Sequence, residues 1–286
     1  MLKQLLRQPN VTGISSGAIA TANVPTTGIH HALFLRAIKS TGVALTRTEM
    51  EADIGNIVVR VNGNIIRDLT LDVILDLQRY YGDSDNAGNV DGIIPIYFDA
   101  HHLPSEAERE LFALGMNKVS SFNIDVTIDA TATLSAIEVY SLVSPNVANR
   151  GLGQHIRINK FPQSFATTGD QEITTLPREG AGVGYIGMHI EESAGQIDKA
   201  TVKVGGRDIF DEVPALLNQA ILEKRKRTTQ AGYYHIDFGM SDDLTAFLPM
   251  AGVQDFRQTL NWNVSAGAPS NFNIYTERIF GLRVNA

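Results

Sequence analysis

One short plan, a strand, a tight hairpin, a helix and a further strand, occurs twice in this sequence. The first copy reads Ile57-Val58-Val59-Arg60-Val61-Asn62-Gly63-Asn64-Ile65-Ile66-Arg67-Asp68. The second reads Ala200-Thr201-Val202-Lys203-Val204-Gly205-Gly206-Arg207-Asp208-Ile209-Phe210-Asp211. Asn-Gly and Gly-Gly tolerate the positive φ that two-residue hairpin turns demand. Each copy ends on an aspartate suited to cap a helix. After the second copy, Val213, Leu216, Leu217, Ala220 and Ile221 fall at i, i+3, i+4, i+7 and i+8, a continuous apolar stripe, with Pro214 in the first turn. After the first, a helix over 69–81 stops at Gly82, a residue fit for a left-handed cap.

The correspondence extends outward. Residues 33–38 match 185–190, each after a turn containing proline (Pro25 and Pro177). Strand 93–99 matches 233–238, and a short helix follows each, at 105–114 and 241–247. The first of these carries a Ser105-x-x-Glu108 capping box. Residues 122–128 match 260–264, and 137–142 match 274–279. Period-2 alternation dominates these segments, which argues for antiparallel sheets with one buried face. Phe122, Ile124, Val126 and Ile128 point one way, with Asn123, Asp125 and Thr127 opposite. Tyr234, Ile236 and Phe238 alternate with His235 and Asp237, and Leu260, Trp262 and Val264 with Asn261 and Asn263. A stretch of low periodicity, 144–151, separates the halves and divides the chain into domains 1–147 and 148–286. About eight short strands per half with one main helical insertion fit a jelly roll better than an immunoglobulin-like sandwich. The fold class is therefore all-β with short helical insertions, as two tandem eight-stranded jelly-roll β-barrels.

A length of 286 residues suits two such domains. The net charge of −7 argues against nucleic acid as the primary partner, because such surfaces carry a basic excess. The absence of cysteine excludes a disulfide scaffold, a thiolate zinc site and a cysteine nucleophile, and fits folding in a reducing cytoplasm. No apolar run reaches the roughly 20 residues of a membrane-spanning helix. The N-terminal segment lacks the long apolar stretch of a signal peptide.

Several residues invite a site. Gly182-Val183-Gly184-Tyr185-Ile186-Gly187 spells G-x-G-x-x-G, but it leads into an alternating strand, so phosphates would find no helix N-terminus. It reads as a glycine-rich strand entry. The pairs His30-His31 and His101-His102 are adjacent, so each pair points to opposite sides of a strand, and no histidine has the spacing of a cupin metal site. All seven read as surface or loop residues. Asp83, Asp85, Asn89 and Asp91 occupy positions 1, 3, 7 and 9 of a calcium loop with Gly88 at 6. Position 12 is Ile94, so the bidentate glutamate is missing. A weak calcium site and a solvated acidic loop are both open readings. Lys224-Arg225-Lys226-Arg227 ends the second long helix, where it complements the helix dipole or meets phosphate or an acidic subunit. No nucleophile elbow, P-loop or His-Glu-x-x-His occurs, so the sequence offers no enzyme.

Taken in order, several blocks resemble the double jelly-roll major capsid proteins, corticovirus type, of tailless icosahedral bacteriophages with an internal membrane. They are 56–64, Leu111-Phe112-Ala113-Leu114-Gly115 followed by 122–130, Leu176-Pro177-Arg178 followed by 184–190, and 234–238. The likeness runs from about residue 50 to the C-terminus. The acidic loop 83–92 is an expansion relative to the family, so no calcium ligand carries over. The resemblance implies a structural protein of the virion capsid, made in the host cytoplasm. It implies a homotrimer with a pseudo-hexagonal outline, tiling with neighbouring capsomers into an icosahedral shell. Its partners would be vertex and membrane-associated virion proteins, with lipid headgroup contact on the inner face and no specific nucleic acid binding. The rival readings are a bicupin-like or glycan-processing enzyme on two jelly rolls and a carbohydrate-binding module. The module would need exposed aromatics, whereas Trp262 is the only tryptophan and faces inward.

Overall fold

The computed structural model describes residues 2–82, 92–103, 105–165, 167–178, 180, 182–192, 195–239, 247–263 and 271–282. It divides into two units, one of residues 1–79 and 83–159, the other of 80–82 and 160–286. The first unit carries β1 (Gln4–Gln8), β2 (Ile19–Asn23), β3 (Ile29–Lys39), α1 (Arg47–Asp53), β4 (Ile54–Val61), β5 (Asn64–Thr70) and α2 (Leu71–Tyr80). It continues with β6 (Ile93–Tyr97), α3 (Glu106–Leu111), β7 (Leu114–Gly115), β8 (Phe122–Ile128) and β9 (Leu134–Ser144). Its strands form two sheets, ordered β1-β9-β3-β6 and β2-β8-β4-β5, with β7 beside β3. The chain passes between the sheets as a jelly roll does. Alternation builds the interior: Phe122, Ile124, Val126 and Ile128 of β8 are buried, as are Ile57, Val59 and Val61 of β4.

After β10 (His155–Gln163), which starts in the first unit and ends in the second, come β11 (Gly169–Ile173), β12 (Val183–Glu191), β13 (Ile197–Val204) and β14 (Arg207–Pro214). Then follow α4 (Ala215–Lys224; α3 being the short helix above), β15 (Tyr233–Asp237), β16 (Leu248–Pro249), β17 (Phe256–Trp262) and β18 (Phe272–Phe280). The orders β10-β18-β12-β15 and β11-β17-β13-β14 repeat those of the first unit strand for strand. The register is copied at several pairs, although the second unit adds bulges at Tyr185/Gly187 and Ala200/Val202. Val59 lies opposite Arg67 and Ile124, and Val202 lies opposite Phe210 and Gln258. Leu33 faces Ser141 as Tyr185 faces Arg278. Both hairpins turn where expected, with φ of 50° and 76° at Asn62-Gly63 and 56° and 78° at Gly205-Gly206. Trp262 is fully buried in the second core beside Phe165 and Phe272.

Local details differ from the sequence reading. The register equates 122–128 with Phe256–Trp262, four residues before the match drawn from the pattern. Neither Asp68 nor Asp211 caps a helix, because β5 and β14 run on past them; Asp68 instead accepts a hydrogen bond from Asn56 at 2.6 Å. Pro214 precedes the first turn of α4 in an extended conformation, and offers no side-chain cap. Ser105 stands at the N-cap of α3 without a side-chain hydrogen bond, whereas Thr46 and Glu49 close a full capping box on the unforeseen α1. The helix expected over 241–247 and Val264 fall outside the described residues, apart from Phe247.

Candidate functional site

The face presented by α4 is the first surprise. Its apolar stripe does not turn inward: Leu216 is 82% exposed and Leu217 52%, while Asn218 and Leu222 are the buried residues. Asn218 explains the rotation. Its side-chain amide donates to the His235 carbonyl at 2.6 Å, so the helix docks on this hydrogen bond and Leu222 rather than on Leu216 and Leu217. A buried amide that lost this partner would cost more than an exposed leucine gains.

That carbonyl belongs to a buried polar network. His189 of β12 and His235 of β15 are cross-strand partners, with Nδ1 atoms 2.7 Å apart. The His235 Nε2 accepts from the Gln230 N–H at 3.2 Å, so in a neutral ring its Nδ1 carries the hydrogen and donates to His189. The remaining hydrogen of His189 then sits on Nε2, 3.9 Å from the Glu277 carboxylate. Tyr80 stacks on His235 at 4.4 Å and donates to Asp237 at 3.4 Å; Arg227 donates to the same carboxylate at 3.2 Å. Tyr81 donates to Glu277 and lies under the Arg227 guanidinium. Burial, then the neighbouring His189, holds His235 well below the usual imidazole range, and burial raises both tyrosines. The expected alternation of β15 fails here because Tyr80 covers its second face, so His235 and Asp237 are as buried as Tyr234 and Ile236.

The first unit holds a second histidine pair. His30 Nε2 meets the Pro25 and Thr27 carbonyls, each at 3.1 Å, so it is the donor and Nδ1 accepts from Ser141 at 2.6 Å. His31 Nε2 lies 2.9 Å from Ser144 Oγ, and its Nδ1 lies 3.5 Å from Asp99. Ser144, His31 and Asp99 thus follow the order of a hydrolase triad. Catalysis needs the serine open to a substrate and the carboxylate bonded to the ring. Ser144 and His31 are buried, the His31 Nδ1 has no hydrogen-bond partner among the described residues, and Asp99 faces Lys3 at 3.9 Å. The three form a link inside the barrel wall.

The histidines correct the sequence reading. His30, His31, His155, His189 and His235 are buried, where serines, carbonyls and another imidazole meet their ring nitrogens. Among the described residues no group of three or more His, Asp or Glu has the arrangement to hold a metal ion. Asp83, Asp85, Asn89 and Asp91 lie outside the described residues. The G-x-G-x-x-G segment enters β12 as a strand, and a Cβ on Gly184 would strike the Phe247 ring. The basic run is divided: Arg227 is buried against Asp237, leaving Lys224, Arg225 and Lys226 outside it.

Comparison with known proteins matches both units. The family described as viral coat protein P2, N-terminal domain, matches residues 5–144, and its C-terminal domain matches 156–282. Among solved structures, the major capsid protein P2 from bacteriophage PM2 is similar over 100% of both chains, with a TM-score of 0.84 at 18% identity. The major capsid protein of STIV is similar over 98% of this chain and 97% of its own, with a TM-score of 0.69 at 10% identity. The PBCV-1 virus capsid protein is similar over 98% and 95%, with a TM-score of 0.66 at 11% identity. A search of curated protein sequences finds no match.

Proposed function

The chain belongs to the viral coat protein P2 family, and from that premise we propose that three copies form a capsomer of six barrels that tiles an icosahedral shell around an internal membrane. The structural role in a virion capsid is shared with the family, and the chain is not an enzyme. The two-barrel enzyme reading fails on the same matches, and the buried Ser144 and histidines give it no site. The observation that carries the trimer is the exposed apolar face of α4, a surface that an isolated soluble chain has reason to hide. Closed rotational assembly of identical chains is the usual way to cover such a surface.

In this reading the barrels divide at 147/148, a position supported by the gap between the two family matches, 145–155; the first unit keeps contacts as far as Asn159. Host cytoplasmic synthesis fits the cysteine-free composition. Vertex and membrane-associated proteins complete the shell, and Lys224, Arg225 and Lys226 are the cations left for a lipid phosphate on the inner face. Native mass spectrometry with light scattering tests the capsomer. A species of three times the chain's 31.1 kDa is expected; a stable monomer at high concentration would count decisively against it.

A further inference from the structure

The two barrels are built alike, but one joint exists in only one of them. In the first unit the outer edge of β5 is occupied. The opening residues of β10 lie parallel to it, with Ile158 opposite Arg67, and the Arg67 guanidinium donates to the Ile156 carbonyl. By place in the sheets, β10 is the counterpart of β1, and β5 is the counterpart of β14. Yet among the described residues β14 ends its sheet and β1 ends its own, so the second joint has no counterpart there. An unpaired edge is a ready template for another strand.

Both free edges carry side chains suited to a partner. Leu2, Leu5 and Leu6 are exposed on and before β1; Ile209 on β14 and Leu216 and Leu217 on the helix that follows it are exposed too. Among the described residues the other large exposed apolar ones, Ile19, Val43, Leu111 and Val147, fall singly on four separate segments. The charges beside them are engaged within the chain: Lys3 faces Asp99 and Glu110, Arg7 pairs with Glu138 at 2.9 Å, and Asp208 and Glu212 of β14 pair with Lys203 and Lys199, so the apolar side chains are what the two edges offer a partner.

We propose that β1 of a second copy of this chain docks along β14 and the adjoining face of α4, making between chains the joint that β10 makes with β5. The inference rests on the capsomer reading and names its contact surfaces. The two surfaces differ, so the contact is head-to-tail and three chains close a ring. The counterpart of Arg67 is the buried Phe210, so no guanidinium clamp recurs and the exposed leucines and Ile209 carry the contact.

The absence of cysteine makes the test clean. Double variants place one cysteine on β1 (Leu5→Cys or Leu6→Cys) and one on β14 (Ile209→Cys or Asp211→Cys), and are oxidised and run on non-reducing gels. At least one of the four pairs is expected to give covalent trimers, and mixed single variants covalent dimers. In a chain that native mass spectrometry shows to be trimeric, no crosslink from any pair, or only links within one chain, overturns this docking and leaves the capsomer intact. A monomeric chain overturns both. The double substitution Leu216→Asp with Leu217→Asp is an independent check: it should abolish the trimer without altering unfolding of the chain, and a trimer that survives it counts against the docking.

Discussion

α2 and α4 follow the same hairpin in the two barrels, yet they meet solvent differently. α2 turns Leu71, Val73, Ile74, Leu77 and Tyr80 inside, whereas α4 keeps only Asn218 and Leu222 inside. The strands beneath share their register near the turn, but β14 carries an extra bulge before α4, between the pairs Ala200–Val213 and Val202–Phe210, with Glu212 at a φ of 44°. The two helices therefore leave their strands differently and also differ in what they meet. A helix whose Leu216 and Leu217 face out while Asn218 faces in suits a partner outside its own unit, and β14, which ends its sheet among the described residues, stands beside it.

Substitutions that treat the two helices alike should break the comparison most visibly. Val73→Asp places an unpaired carboxylate at a fully buried site and should cost about 4 kcal/mol or more, enough to unfold the first barrel in a urea titration. Leu217→Asp should cost the dilute chain less than about 0.5 kcal/mol while dissociating the oligomer. Equal losses of stability would show that α4 has an internal partner after all.

Acid should weaken both barrels. His30 and His155 are held at about 4, chiefly by burial, and His235 well below its usual value by burial and His189. In each case the unfolded chain takes up a proton that the folded chain refuses. The histidines' share of the stability is therefore complete above pH 6.5 and falls as pH drops toward 4. The effect is on the order of 3 kcal/mol for His30 alone. Unfolding free energies measured at pH 7 and pH 4.5 check it, and a protein equally stable at both would refute the assignment of neutral rings.

Smaller effects sharpen the picture. Asn218→Ala removes the hydrogen bond that sets the rotation of α4, and should cost about 1–2 kcal/mol with the helix retained in circular dichroism. Glu192 runs opposite to the histidines: burial pushes its carboxyl to about 7, so the folded chain keeps a proton that the unfolded chain has released. Its contribution is present below pH 4.5 and is lost as pH rises to 7. Glu192→Gln should flatten the stability profile in that window; an unchanged slope would place the titration elsewhere.

Much of the fold was legible in sequence because it rests on short-range pattern. The alternation of Phe122, Ile124, Val126 and Ile128, the Asn62-Gly63 turn and the inward Trp262 each follow from a few neighbouring residues. The likeness to capsid proteins was legible too, from blocks in order. The histidines were not, since the partners of His30 and His31 are Ser141 and Ser144, 111 and 113 residues away. The rotation of α4 was hidden for the same reason, because the stripe of Leu216 and Leu217 ignores a carbonyl seventeen residues from Asn218. Capping boxes show the limit of local pattern: Ser105-x-x-Glu108 and Thr46-x-x-Glu49 look alike, and only the second closes. The acidic loop with Asp83, Asp85, Asn89 and Asp91 carries a pattern whose structure lies outside the described residues.

The account turns on the second barrel being finished by another copy of the chain, and electron microscopy of the purified oligomer tests this most directly. Class averages are predicted to show six lobes in a pseudo-hexagonal outline, with α4 of each chain against its neighbour. Particles of a single two-barrel chain, or an oligomer in which α4 and β14 face solvent, would contradict it.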